Sequence, residues 1–219
     1  MRLKSYANPA NLAAMDRFGI RTENTYGVSI TILMTIAKEA GKDHELAQQL
    51  WDSGIHEARI LAAMIDEPKM LSDEQLERWV MDIDSWDVCD QVFNRLFRHY
   101  PQVQRKAADW CARKEEFVKR AGFVLIAVLA VHDKKAEDKI FVSWLDIIQR
   151  EASDERNFVK KSVNWALRQI GKRNRSLNQR AIQTAESIRA LGGQTCRWIA
   201  ADALRELTSR KVQDKLSRD

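Results

Sequence analysis

Trp86 and Asp90 stand four residues apart, the spacing that puts two side chains on one helix face a turn apart. A carboxylate beside an indole can hold or stabilise a cation. The carboxylate supplies charge and the ring its negative face, at about 0.5–2 kcal/mol per ring contact. Two further segments carry related groups. Phe117 opens a stretch in which Arg120 follows within a turn, and Phe158 opens another in which Trp165 follows at seven residues. Lysines and arginines surround them: Lys119, Lys160, Lys161, Arg168, Lys172 and Arg173. Cations in such clusters suit a phosphate backbone, which they position without reading its sequence.

Helices must position these groups. The 219 residues hold only 8 glycines and 3 prolines, so turn and strand punctuation is scarce. Apolar residues recur at helical spacing, as in Val28, Ile32, Leu33, Ile36 and in Val118, Ala121, Gly122, Leu125. Ser72-Asp73-Glu74 reads as a helix start, Pro101 follows a helix ending near His99, and Ser153-Asp154-Glu155 reads as the start of the helix carrying Phe158. Eleven or twelve helices are expected. With no long linker, a single domain spanning 1–219 is expected.

The helices repeat. Phe117-Val118-Lys119-Arg120 recurs as Phe158-Val159-Lys160-Lys161, 41 residues on. A tryptophan-bearing segment precedes each: Trp79 before Trp86, Trp110 before Phe117, Trp144 before Phe158. Spacings of 31 and 41 residues bracket a two-helix HEAT-like unit. Such pairs bury a continuous core only by stacking. The expected fold is an all-α HEAT-like repeat α-solenoid (α-α superhelix) of about six helix pairs with a concave basic groove. Repeat equivalence then turns Asp90, Arg120, Trp86 and Trp165 towards that groove. Trp51, Trp79, Trp110, Trp144 and Trp198 are expected in the core. Asp87, one residue from Trp86, points elsewhere and reads as structural.

Composition narrows the classes. Formal charge is +5 and the pI about 9.1. Acids crowd Asp66 to Asp90, while basic pairs recur from Arg105-Lys106 to Lys172-Arg173. That asymmetry suits a polyanionic partner. Cys89, Cys111 and Cys196 are scattered and odd in number, which argues against a disulfide framework and for a cytoplasmic setting. The four histidines lack metal-ligand spacing, so no metal is expected. No apolar run spans a membrane, and the first eleven residues lack a signal-peptide core.

Several segments together resemble the AlkD-like DNA alkylation repair family. Ser85-Trp86-Asp87-Val88-Cys89-Asp90 resembles its Trp-Asp-x-x-Asp signature. Trp110 through Phe117-Val118-Lys119-Arg120-Ala121 resembles its Trp…Arg-Ala segment. Phe158 to Arg168 resembles its Phe-x-x-Lys-[Ala/Ser]-x-x-Trp-x-Leu-Arg segment, and Phe18-Gly19-Ile20-Arg21 and Leu50-Trp51 match in order. The resemblance spans 18–207. It departs at Ser85, where relatives often carry a second tryptophan, and in a short segment before Phe18, which implies a reduced N-terminal helix.

The resemblance implies a monofunctional DNA glycosylase that excises N3- or N7-alkylated purines from double-stranded DNA. Asp90 falls on the catalytic aspartate, Trp86 and Trp165 on the cleft tryptophans, and Arg120 on the cleft arginine. The chemistry is coherent. An alkylated purine is cationic, so its glycosidic bond is already weakened. The sugar becomes oxocarbenium-like as the bond breaks, and a fixed carboxylate stabilises it. No cofactor and no lyase nucleophile are implied, and a monomer is expected. Two other classes fit the repeats: a non-catalytic homologue recognising distorted duplex, and a protein-interaction scaffold.

Overall fold

The computed structural model describes residues 2–218, and every regular element among them is helical. In chain order the α-helices are α1 Leu12–Arg17, α2 Ile30–Ala40, α3 His44–Asp52, α4 His56–Ile65, α5 Asp73–Asp82, α6 Trp86–Arg95, α7 Val103–Cys111, α8 Glu116–His132, α9 Asp138–Glu151, α10 Asn157–Gly171, α11 Arg175–Leu191, α12 Gln194–Leu207 and α13 Arg210–Leu216. They group into two compact units, Met1–Val103 and Gln104–Asp219.

Local chemistry sets the boundaries. Ser72 Oγ accepts the Gln75 amide at 3.1 Å, which starts α5 where the sequence indicates. Asn174 caps α11 in the same way through the Leu177 amide at 2.9 Å. The start of α10 differs from expectation: the helix begins at Asn157, after an extended Arg156, rather than at Ser153. The Asp154 carboxylate is taken by the Arg156 amide and guanidinium, so the chain stays extended through that turn.

In the first unit, tryptophans on α3 and α5 form the centre. Trp51 and Trp79 stack with ring centroids 4.0 Å apart and planes 3° from parallel. The Trp51 indole N–H donates to Asp82 at 2.9 Å, so the buried ring keeps its polar edge satisfied. Phe97 and Phe93 continue the cluster. Glu57, buried on α4, accepts the Tyr26 and Val28 amides at 3.0 Å and ties the irregular segment before α2 to the helix behind it. Asp66 is buried too, and takes Gln75 at 2.5 Å and His44 at 2.7 Å.

In the second unit, α8 is the central helix. Ala121 to Ala130 is buried on all sides, as the continuous apolar run requires. It packs on α10, and Phe117 meets Phe158 at 5.4 Å. Close approach demands glycine. A Cβ on Gly122 would lie 2.5 Å from the Cys111 amide nitrogen of α7, and one on Gly171 would lie 2.6 Å from Leu207 of α12.

The repeat can be read from the contacts. In the first unit, partners recur at 31 residues: Tyr26 with Glu57, Trp51 with Asp82, His56 with Asp87. In the second they recur at 38: Arg120 with Phe158, Asn164 with Asp202, Arg168 with Glu206. The tryptophan helices α5, α7 and α9 each precede a helix whose first turn carries Trp86, Phe117 or Phe158. Trp51, Trp79, Trp110 and Trp144 are at most 3% exposed. Trp198, expected in the core, is instead 40% exposed. The buried face of α12 carries Thr195, Cys196, Ile199, Ala200, Ala203 and Leu207, which leaves Trp198 on the opposite side.

Candidate functional site

The first unit holds Trp86 and Asp90, both on α6. One face of this helix carries Val88, Cys89, Val92 and Phe93 into the core. Trp86, Asp90 and Asn94, at intervals of four, form a half-buried stripe on another face. The stripe is held internally, since the Asn94 amide donates to the Asp90 carbonyl at 3.0 Å. The Trp86 indole N–H donates to the Phe18 carbonyl at 3.0 Å. Phe18 itself is 70% exposed, in the turn that closes α1. This contact fixes the indole edge-on to the turn, and so fixes the rotamer of the first residue of α6.

Asp87 has a different position. Its Oδ2 lies 2.8 Å from His56 Nε2 on α4, its Oδ1 accepts the Ser85 hydroxyl, and it also takes the Val88 amide at 3.0 Å. Burial disfavours the His56 imidazolium, but the Asp87 hydrogen bond and the charges of Asp87, Glu57 and Asp84 outweigh it, and the pKa is raised. Burial likewise disfavours the Asp87 carboxylate, and the His56 and Ser85 hydrogen bonds outweigh it, so this pKa is lowered. Asp87 therefore joins α4 to α6 as a structural acid. The histidine that holds it escaped sequence reasoning because a lone histidine 31 residues away carries no spacing signal.

The second unit holds Arg120 and Trp165. Arg120, on α8, is 5% exposed. Its Nη1 donates to the Phe158 carbonyl at 2.9 Å and so tethers α8 to the first turn of α10. Trp165 is half-buried on α10, two turns on from the half-buried Phe158.

The six candidate backbone-binding cations divide. Lys119 lies 2.7 Å from Glu151 and 3.4 Å from Asp154 and is mostly buried. Arg168 lies 2.7 Å from Glu206, and Lys172 reaches the same carboxylate at 2.7 Å. Arg173 donates to the Ala130 carbonyl at 2.7 Å and sits 3.9 Å over the Phe141 ring, and burial lowers its pKa. Each of these four serves the packing of its own unit, and a phosphate would have to displace that partner. Lys161 is exposed, and Lys160 stands over Trp198 at 5.8 Å. Charge is nonetheless strongly partitioned. The second unit carries 25 lysines and arginines against 15 acids, a formal +10, and the first carries 11 against 16, a formal −5.

Among the described residues no group of three or more His, Cys, Asp or Glu could hold a metal ion, and no helix is long and apolar enough to cross a membrane.

A family model described as DNA alkylation repair enzyme matches residues 1–208. The chain belongs to the DNA alkylation repair enzyme family. A solved structure similar to it is a protein described as one of a new family related to the HEAT-like repeat DNA glycosylases, with affinity for branched DNA structures. Identity is 21%, TM-score 0.76, and the match covers 85% of this chain and 80% of that one. That likeness shows the HEAT-like repeat fold. A designed armadillo repeat protein bound to a peptide matches at 15% identity and TM-score 0.42, over 86% of this chain and 80% of its own. No curated protein matches the sequence. For this member of the repair family, the signature Trp86-Asp87-x-x-Asp90 thus resolves into a structural acid, Asp87, and an acid on the tryptophan face, Asp90.

Proposed function

We propose that the chain binds duplex DNA and releases N3- or N7-alkylated purines by hydrolysis of the N-glycosidic bond. The observation that carries this reading is the separation of the two acids of the family signature. Asp87 is committed to His56 and Ser85, while Asp90 shares a half-buried face with Trp86. The family membership supports a role in DNA alkylation repair, with which base release is consistent. In this reading Asp90 stabilises the oxocarbenium-like sugar. Trp86, on the same face, supplies a ring face to a cationic lesion. In the second unit, the half-buried Trp165 offers its indole to the DNA, and Arg120 positions the first turn of α10 through the bond to the Phe158 carbonyl.

The test is incubation with methylated duplex DNA and analysis of released bases, with Asp90→Asn in parallel. The native chain should release methylated purines, and the variant should lose on the order of a hundredfold or more in rate, the scale of removing a preorganised transition-state charge. Equal release by both removes Asp90 from this role.

A second reading is binding without base release. It is favoured by the structural relative, described as having affinity for branched DNA. Retained DNA binding with no released base, by the native chain, selects it.

A further inference from the structure

Trp198 is an apolar side chain that the core does not account for. Of the tryptophans, Trp51, Trp79, Trp110 and Trp144 are sealed, yet Trp198 leaves 40% of its surface in solvent. It does not stand alone. Lys160 of α10 places its ammonium 5.8 Å from the indole centroid. Arg197 precedes it on α12 and Lys161 follows Lys160 on α10, and both are exposed. Along α12 the solvent face runs Gln194, Arg197, Trp198, Ala201 and Arg205. The small Ala201, one turn on, leaves the ring uncovered on that side.

The acids of the same helix are already engaged. Asp202 takes Asn164 at 2.7 Å and the Arg205 guanidinium, and Glu206 takes Arg168 and Lys172 at 2.7 Å. Their charge is satisfied by those partners, whereas Lys160 stands over the ring and Arg197 and Lys161, the neighbours in sequence of Trp198 and Lys160, are exposed. The ladder also holds α12 rigidly on α10, so the indole is presented from a fixed helix and not from a loop.

A 40% exposed indole with an ammonium over it, on a unit of formal charge +10, fits a stacked base whose phosphates meet nearby cations. A base within a duplex has both faces occupied by neighbours. An unpaired nucleotide is free to turn its π-face onto a ring at any point along the strand, which a base inside the duplex is not. We propose that Trp198, with Lys160, Arg197 and Lys161, is a stacking station for an unpaired nucleotide of single-strand-containing DNA. It lies on α12, outside the signature helices α6, α8 and α10. The proposal rests on the DNA-binding reading above.

The experiment compares the affinity of the full chain for a short blunt duplex and for the same duplex extended by an unpaired thymidine tail. The native chain should bind the tailed DNA more tightly. Trp198→Ala should weaken tailed binding about tenfold and blunt binding by less than about twofold, the discrimination expected for one lost stack. Trp198→Phe keeps a ring and should recover most of the loss.

Equal weakening on both DNAs, or no weakening on the tailed one, overturns the proposal. So does self-association of the native chain, seen by sedimentation velocity, that Trp198→Ala abolishes, because a second copy would then occupy the face. If the native chain binds the blunt duplex but gains nothing from the tail, the stacking station fails and the DNA-binding reading stands. If it binds neither, both fail.

Discussion

His56 Nε2 and Asp87 Oδ2 lie 2.8 Å apart and join α4 to α6 directly behind the first turn of the signature helix. The pair does for α6 what an N-cap usually does. Ser85 precedes the helix but makes no side-chain cap bond, because its hydroxyl is turned onto Asp87. The position of Trp86 and Asp90 therefore depends on the His56–Asp87 pair one residue away.

That dependence should appear in the pH profile of stability. The His56 pKa is raised above 6.5, so its contribution is full below 6.5 and is lost as pH rises through the raised value. The Asp87 pKa is lowered below 3.8, so its contribution is full above 3.8 and is lost as pH falls through the lowered value. The pair contributes most between those limits. Thermal denaturation of the native chain should show a midpoint that declines as pH rises beyond 6.5, and His56→Gln should flatten that decline. A native profile level through that range would show that the pair is not ionised.

The two acids of the signature should separate by phenotype. Asp87→Asn leaves His56 facing a neutral amide in a buried setting and should cost on the order of 1–3 kcal/mol of stability. Any loss of DNA binding or base release should then follow the unfolded fraction and recover on cooling. Denaturant titration at two temperatures, set beside activity, measures this. A stable Asp87→Asn protein with no base release would move the chemistry from Asp90 to Asp87.

Much of this architecture is legible in the sequence, because it rests on local periodicity. The tryptophan followed by an aromatic helix start, three times over, reports helix pairs directly, and four of five tryptophans assigned to the core lie there. Trp198 broke the rule because its burial depends on which face of α12 meets α10 and α11, and the alanines of that helix, not its indole, made the contact. The partners of the basic clusters are hidden in a related way. Lys119, Arg168 and Lys172 look like solvated charge in the sequence, but their acidic partners lie 32, 38 and 34 residues away on other helices. His56 and Asp87 are hidden for the same reason. Periodicity along one helix carries no record of the charge that faces it from the next repeat.

The close packing of α8 on α7 gives a prediction that no function enters. A methyl group on Gly122 would stand 2.5 Å from a backbone nitrogen and 2.7 Å from the Cys111 sulfur, and backbone cannot rotate aside. Gly122→Ala should destabilise the chain by roughly 1–3 kcal/mol despite the better helix propensity of alanine. Chemical denaturation would show a lower midpoint at unchanged slope. A neutral or stabilising result would mean that α7 and α8 sit further apart than the structure places them.

The division among the cations predicts which substitutions change the salt dependence of DNA binding. Each phosphate neutralised adds about 0.9 to the slope of log affinity against log salt. Lys161 and Arg197 are exposed, so Lys161→Gln or Arg197→Gln should each reduce the slope by about one at nearly constant stability. Lys119 is different. Its ammonium bridges Glu151 and Asp154 inside the second unit, and its loss leaves these two half-buried carboxylates with only Arg150 and Arg156 beside them. Lys119→Gln should lower the thermal midpoint and leave the slope unchanged. Affinity measured across a salt series, with the melting point of each variant, separates the two cases. A full unit of slope lost in Lys119→Gln would show that DNA displaces the internal carboxylates.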